Sequence, residues 1–183
     1  MHPVELNGPR VTWRELTVDD AEAMVEVMSD PEVFRTASDN EVPDLEMYRS
    51  FIADYSGKAV DPERRQYKLA LTLDGELVGT GGIEMTWHRS SNAEIGYLVS
   101  RPNWGKGLGT EAAHLLVDFA LTELKAHRVW AGADVENPAS IRILEKVGMT
   151  REGIRREDRF KDGRWINSAV YSILETDPRP SLR

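Results

Sequence analysis

The chain contains no cysteine. That excludes disulfides, thiolate metal sites and a cysteine nucleophile, and it fits a reducing cytoplasm, the location expected here. No apolar run approaches the roughly 20 residues that cross a bilayer, so no membrane partner is expected. The opening Met1-His2-Pro3-Val4-Glu5 has neither the basic stretch nor the apolar block of a secretion signal. Basic residues are in the minority, with 23 Lys and Arg against 31 Asp and Glu and a net charge of −8. A nucleic-acid partner is therefore not expected, because phosphate contacts need a basic face. The four histidines, His2, His88, His114 and His127, have no metal-ligand spacing, and no metal is expected. Internal repeats, low-complexity tracts and dividing linkers are also missing.

What remains is ordinary globular composition: 183 residues, 40% hydrophobic and 30% charged. One domain over 1–183 is expected, with 176–183 as a frayed tail carrying two prolines. Residues 10–17 alternate as a half-buried strand does. Ala21, Met24, Val25 and Met28 then recur at helical spacing until Ser29-Asp30-Pro31. A second helix starts near Asp44, with a stripe of Leu45, Tyr48, Phe51, Ile52 and Tyr55, and stops at Gly57. Strands 67–73 and 76–87 flank the hairpin signal Asp74-Gly75. Residues 93–100 form an apolar, central strand, and a long helix follows over about 109–126. After a strand over 129–135, Asn137-Pro138 opens a short helix that ends at Gly148. A terminal hairpin, 149–160 with 164–174, turns at Lys161-Asp162-Gly163. This order predicts an α/β or α+β fold with a mixed sheet.

The chemically informative segment is Trp104-Gly105-Lys106-Gly107-Leu108-Gly109-Thr110-Glu111-Ala112. Three glycines alternate between a strand and a helix. Without Cβ atoms the backbone bends sharply and approaches a ligand closely. The first helical turn offers unpaired N–H groups and the positive end of the peptide dipoles, an arrangement suited to phosphate oxygens. Lys106 adds charge nearby. The alternative is a plain glycine turn that starts a helix. A Walker loop is excluded because Gly107 follows Lys106, and the third glycine comes too early for a dinucleotide fingerprint.

Three blocks taken together carry a resemblance: Glu94-Ile-Gly-Tyr-Leu-Val-Ser100, Trp104 to Ala112, and Asn137-Pro-Ala-Ser-Ile-Arg-Ile-Leu-Glu-Lys-Val-Gly-Met149. In this order and spacing they resemble the GCN5-related N-acetyltransferases (GNAT), most of all the RimJ/RimL-like branch that acetylates ribosomal-protein N-termini. The similarity extends over roughly 10–175. It implies a mostly antiparallel mixed sheet of about seven strands and about four helices, with a splayed central strand pair. It also implies acetyl-CoA as donor and a primary amine as acceptor, either a protein N-terminus or a small molecule. An antibiotic- or polyamine-modifying enzyme and a non-catalytic acyl-CoA-binding module are the rivals. Relatives commonly dimerise, so a homodimer is an open expectation.

By the same resemblance the donor rests on Leu98 and Val99 of the splayed strand. Trp104, Gly105, Lys106, Gly107, Leu108, Gly109 and Thr110 follow in the turn, and Asn137 and Ser140 beyond it. Backbone N–H groups near Leu98 and Val99 would face the developing oxyanion. An amine is mostly protonated at neutral pH, so attack on a thioester needs a proton acceptor. Glu94 matches a glutamate that serves as base in some relatives, or it is a solvated strand position; Glu84 is the second candidate. Many relatives carry a tyrosine acid where Leu144 stands here, and in the RimJ/RimL-like branch a serine takes over, which Ser140 matches. Ser140 and Asn137 are equally well read as helix-capping residues. Asn167 stands where aspartate is usual. Phe34, Tyr48, Phe51 and Tyr55 are expected between helices and sheet, His88 at the acceptor pocket or on the surface, and 151–159 on a solvated hairpin face.

Overall fold

The computed structural model describes residues 3–37, 41–61, 63–87 and 91–181. They form eight strands: β1 (Glu5–Asn7), β2 (Val11–Glu15), β3 (Gln66–Leu73), β4 (Glu76–Trp87), β5 (Asn92–Val99), β6 (Arg128–Asp134), β7 (Thr150–Lys161) and β8 (Arg164–Leu174). They also form five α-helices: α1 (Ala21–Ser29), α2 (Pro31–Thr36), α3 (Leu45–Lys58), α4 (Leu108–Thr122) and α5 (Pro138–Lys146). One sheet runs β1-β2-β3-β4-β5-β6-β8-β7. Its pairs are antiparallel except β5 with β6.

Alternation along the central strands sorts side chains into two layers. Leu69, Leu71, Ile83 and Ile95 pack with Leu116, Val117 and Ala120 of α4 and Leu144 of α5. Ala70, Leu77 and Leu98 face the other layer, with Met24 and Met28 of α1 and Tyr48 and Ile52 of α3. Both helical layers thus bury a stripe against one sheet. Trp13 on β2 is fully buried, and its indole N–H donates to the Ala112 carbonyl at 2.9 Å, tying the sheet to α4.

Local signals placed most elements. Asp44 caps α3 by accepting from the Met47 N–H at 2.8 Å. Five expectations change. An eighth strand appears, because β1 is a three-residue edge too short to show a pattern. Pro31 does more than end α1. It sits in the first turn of α2, whose N-cap Asp30 accepts from the Glu32 N–H at 2.9 Å. Gly57 stays inside α3, whose C-cap is Ala59. The helix α4 stops at Thr122, before Lys125 turns to positive φ. Lys161 belongs to β7 and is buried, donating to the carbonyls of Phe34 at 2.6 Å and Ala37 at 2.7 Å. The tail has no regular structure, yet up to Ser181 it lies along α4: Arg179 pairs with Asp118 at 3.1 Å and the Pro180 carbonyl meets the His114 ring. His88 lies outside the described residues. Among the described residues no helix is long and apolar enough to cross a membrane.

Candidate active site

The centre of the sheet is open. Among the described residues β5 and β6 pair at three positions, Asn92 with Arg128, Ala93 with Val129 and Glu94 with Trp130. Beyond Glu94 the strands separate, β5 staying with β4 and β6 with β8. A cleft of about 1140 Å³ runs from this gap to the glycine turn on one side and to α1, α2 and α3 on the other.

Strand parity decides which backbone groups face the gap. The Leu98 carbonyl lies against Gly79 of β4, and the Gly96 carbonyl against Gly81. Ser100 donates to the Val78 carbonyl at 2.7 Å. Even-numbered residues of β5 therefore bond to β4, and Ile95, Tyr97 and Val99 turn their N–H and C=O groups to the gap. Of the two expected oxyanion donors, Val99 satisfies this geometry and Leu98 does not. Leu98 also lines the cleft, and its side chain packs toward α1 and α3. The Val99 carbonyl is engaged by the Trp104 indole at 2.6 Å, so this half-exposed tryptophan braces the strand end.

The glycine turn is built as an open cradle. Gly107 is the left-handed N-cap of α4, at φ +81° and ψ 0°, a conformation that penalises any Cβ. Helical bonding starts only with the Thr110 N–H to the Gly107 carbonyl at 3.1 Å. The amides of Leu108 and Gly109 precede it and lack helical partners. The Leu108 side chain is buried in the core. Gly109 serves packing: a Cβ there would come within 2.9 Å of Ile143 Cδ1, so its absence lets α5 lie against α4. Lys106 is not part of the cleft lining; its ammonium donates to Asn103 at 3.2 Å.

Behind the turn stands a carboxylate that sequence pattern did not single out. Glu111 is buried and accepts from the N–H groups of Arg10 at 2.7 Å and Val11 at 3.0 Å, and from Arg10 Nε at 2.8 Å. Burial alone would raise its pKa. The backbone N–H groups of Val11 and Arg10 and the guanidinium outweigh that and hold it below the usual carboxylate range. Arg10 in turn donates to the Lys106 carbonyl at 2.8 Å, which pins the turn to the start of β2.

Glu94 and Glu84 are directly opposite on β5 and β4, and both line the cleft. Burial first, and then Glu84, push the Glu94 carboxyl up; Arg155 and Lys68 oppose this. Across the gap, Asn137 caps α5 by accepting from the Ser140 N–H at 3.1 Å. The capping reading of Asn137 is thus realised through Ser140's backbone, and Ser140 is among the residues that line the cleft. Leu144 is buried in the core, so α5 supplies no phenol there. Asn167 accepts from the Glu157 N–H at 2.8 Å and so supports the irregular stretch of β7. Phe51, expected between helix and sheet, is instead exposed and lines the cleft with Met24, Met28 and Met47. Among the described residues no cluster of three metal-ligating side chains occurs.

The family model for the acetyltransferase (GNAT) domain matches residues 10–150. The chain belongs to the GNAT family. A probable N-acetyltransferase, YjcK of Bacillus subtilis, is 33% identical over 177 residues, covering 94% of this chain and 98% of that protein. The structure of Mycobacterium smegmatis RimJ in complex with CoA-disulfide superposes with a TM-score of 0.81 at 25% identity, over 95% of this chain and 90% of that one. The spermidine N(1)-acetyltransferase of Escherichia coli K12 is 29% identical over 132 residues, 71% of this chain and 70% of that protein. This GNAT protein is therefore an acetyltransferase of the RimJ/RimL-like branch, with the fold of its solved relatives. GNAT acetyltransferases use acetyl-CoA.

Proposed function

We propose that this chain transfers an acetyl group from acetyl-CoA to a primary amine by direct attack on the thioester, and that the acceptor is a protein N-terminal α-amine. The observation that carries the reading is the gap between β5 and β6 beyond Glu94, continuous with the glycine turn. The residues fit the donor. A Cβ at Gly105 would meet nothing within 4 Å, so open space lies over the turn. The Leu108 and Gly109 amides and the α4 dipole suit a diphosphate. The outward N–H of Val99, the one nearer the turn, suits an amide-bearing arm added as an extra strand. When bound, acetyl-CoA supplies the activated acyl carbon.

The protein's groups then divide the work. Glu94, pushed up by burial and by Glu84, is a stronger proton acceptor than an ordinary carboxylate and takes the proton that the amine nitrogen gives up as it bonds to the acyl carbon. The Tyr97 N–H, the outward donor nearer Glu94, donates to the carbonyl oxygen as charge develops on it. Ser140 donates a hydrogen bond to the departing sulfur. The acceptor end is lined by Met28, Met47 and Phe51, with cationic Arg35, Lys68 and Arg159 beside Glu84 and Glu94. Such mixed charge favours a single amine on an apolar chain over a polycation, which would meet these cations as repulsion. That is why a peptide N-terminus is preferred to a polyamine.

The test is free-thiol release from acetyl-CoA over a panel of peptides, spermidine and simple amines. Peptide N-termini should turn over best, and preference for spermidine would overturn the acceptor assignment. Binding of CoA without turnover on any amine would support a binding module instead. Glu94→Gln should lower kcat by about 100-fold, in the range of lost general-base catalysis. In the native protein kcat/KM should fall as pH drops through the raised Glu94 pKa. The variant should lose that acid limb, and an unaltered pH profile removes Glu94 from the reaction.

A further inference from the structure

A second cavity, of about 490 Å³, opens beside the carboxylate pair, and Glu84 lines both it and the cleft. In the sheet, Glu84 is opposite Glu94, Glu94 is opposite Trp130, and Asn92 is opposite Arg128. Alternation sets Glu84, Glu94 and Trp130 in one row across β4, β5 and β6. Asn92 and Arg128 stand in the next row of the same face, about 6.6 Å further from the glycine turn. Glu84, Asn92, Arg128 and Trp130 line the cavity together with Thr86 and Arg155. The cavity thus continues the cleft past Glu94, away from the glycine turn.

Its two arginines differ. Arg128 is paired with Glu152, which also accepts from the Ser172 hydroxyl at 2.7 Å, so this charge is spent inside the fold. Arg155 stands over the Trp130 ring, 4.5 Å from its centroid. Its ion pair with Asp158 is 3.7 Å long, too long for a hydrogen bond, and it donates to no other group among the described residues. The indole holds the guanidinium in place and leaves its N–H groups for another partner. With neighbouring strands about 5 Å apart, Trp130 lies about 5 Å from Glu94 and about 10 Å from Glu84 along the row. The two rims are therefore opposite in sign: carboxylates where the cavity meets the cleft, and a fixed cation across from them.

We propose that this cavity is a subsite for a carboxylate on the acceptor: an acidic side chain at the second or third residue of a peptide whose N-terminal amine sits at Glu94. This rests on the acetyltransferase reading given above. An extended chain advances about 3.4 Å per residue, so an amine at Glu94 places those side chains within reach of Arg155. Amine and acid then each meet the opposite charge, and a lysine at the same place would meet Arg155 as repulsion. Arg155 sets which acceptor is taken and touches no reacting atom.

The test uses alanine tetrapeptides carrying glutamate, glutamine or lysine at the second or third position. Rates are read at a pH above the acid limb of Glu94, so that the influence of Arg155 on Glu94 does not enter. At one of the two positions the native protein should prefer glutamate to glutamine about tenfold in kcat/KM, the worth of one charge-assisted hydrogen bond. Arg155→Gln should level that pair and leave KM for acetyl-CoA unchanged, and Arg155→Glu should prefer lysine. A purely structural role would slow all the peptides alike and would overturn the proposal. Equal rates for glutamate and glutamine at both positions, or a preference that survives Arg155→Gln, also overturn it. Free glutamate turning over better than the peptides would overturn the peptide as the source of the carboxylate. Calorimetry of the same peptides with CoA-loaded protein needs no turnover. If no peptide is acetylated, the activity reading falls, and tighter binding of the glutamate peptide that is lost in Arg155→Gln still establishes the subsite. Equal binding of the two peptides sinks it.

Discussion

At the glycine-turn end of the cleft, side chains are spent on holding backbone. Glu111 binds two N–H groups, Arg10 holds the Lys106 carbonyl, Trp104 holds the Val99 carbonyl and Asn137 holds the Ser140 N–H. At the α1–α3 end the lining is Met28, Met47 and Phe51, and the nearby ion pairs join exposed partners, Arg35 with Glu32 at 3.4 Å and Arg49 with Glu46 at 3.0 Å. Such surface pairs contribute little, and methionine adapts to many shapes. One end is fixed to receive a ligand of constant form. The other is a soft wall that tolerates change. Rigidity and replaceability are separated along a single cleft.

The sharpest way to break this contrast is Gly107→Val. It forces a β-branched residue into the left-handed region and distorts the amide cradle. CoA affinity should drop by about 100-fold, the equivalent of one or two charged hydrogen bonds, as read by calorimetry. An unchanged affinity would mean the turn is only a helix start. Next in size is Glu111→Ala, which takes the acceptor from the Arg10 N–H and from the buried Val11 N–H. It should destabilise the fold by about 3 kcal/mol, a fall of roughly 6–12 °C in the thermal midpoint. Because the Glu111 pKa is lowered in the fold, its contribution is present above the unfolded carboxylate pKa and is lost as pH falls through the folded one. The gap between native protein and variant should therefore narrow in acid. If the gap is constant with pH, the carboxylate charge is not what holds the turn. The smallest effect belongs to Met47→Ala at the soft end. Stability should move by less than about 0.5 kcal/mol and KM for acetyl-CoA should not move, while KM for the amine rises a few-fold. A large stability loss there would erase the contrast between the two ends.

Much of the architecture was legible because it is written in short-range chemistry. Asp44 and Asn137 announce helix starts, Asp74-Gly75 a tight hairpin, and the alternating glycines a left-handed cap ahead of α4. Each depends on residues within one turn of each other. Elements without such a signature were lost: β1 is too short to alternate, and α2 hides behind a proline that also ends α1. The site was less legible than the fold. Lys106 and Gly109 stand in the glycine motif, yet one turns to Asn103 and the other makes room for Ile143. Glu111 stands in the same motif as an ordinary first-turn acid, and the segment it holds is 101 residues away.

The amino-acid order by itself determined that this chain makes a mixed sheet with a glycine-started helix at its centre, because caps, turns and alternation are local properties of the backbone. Only the tertiary structure decided which atoms share the cleft. Strand parity turned Val99 toward the gap and Leu98 away from it. Long-range packing set the Glu111 carboxylate under the turn. Hydrogen bonding between distant segments depends on where the strands meet, and no stretch of the chain contains that information alone.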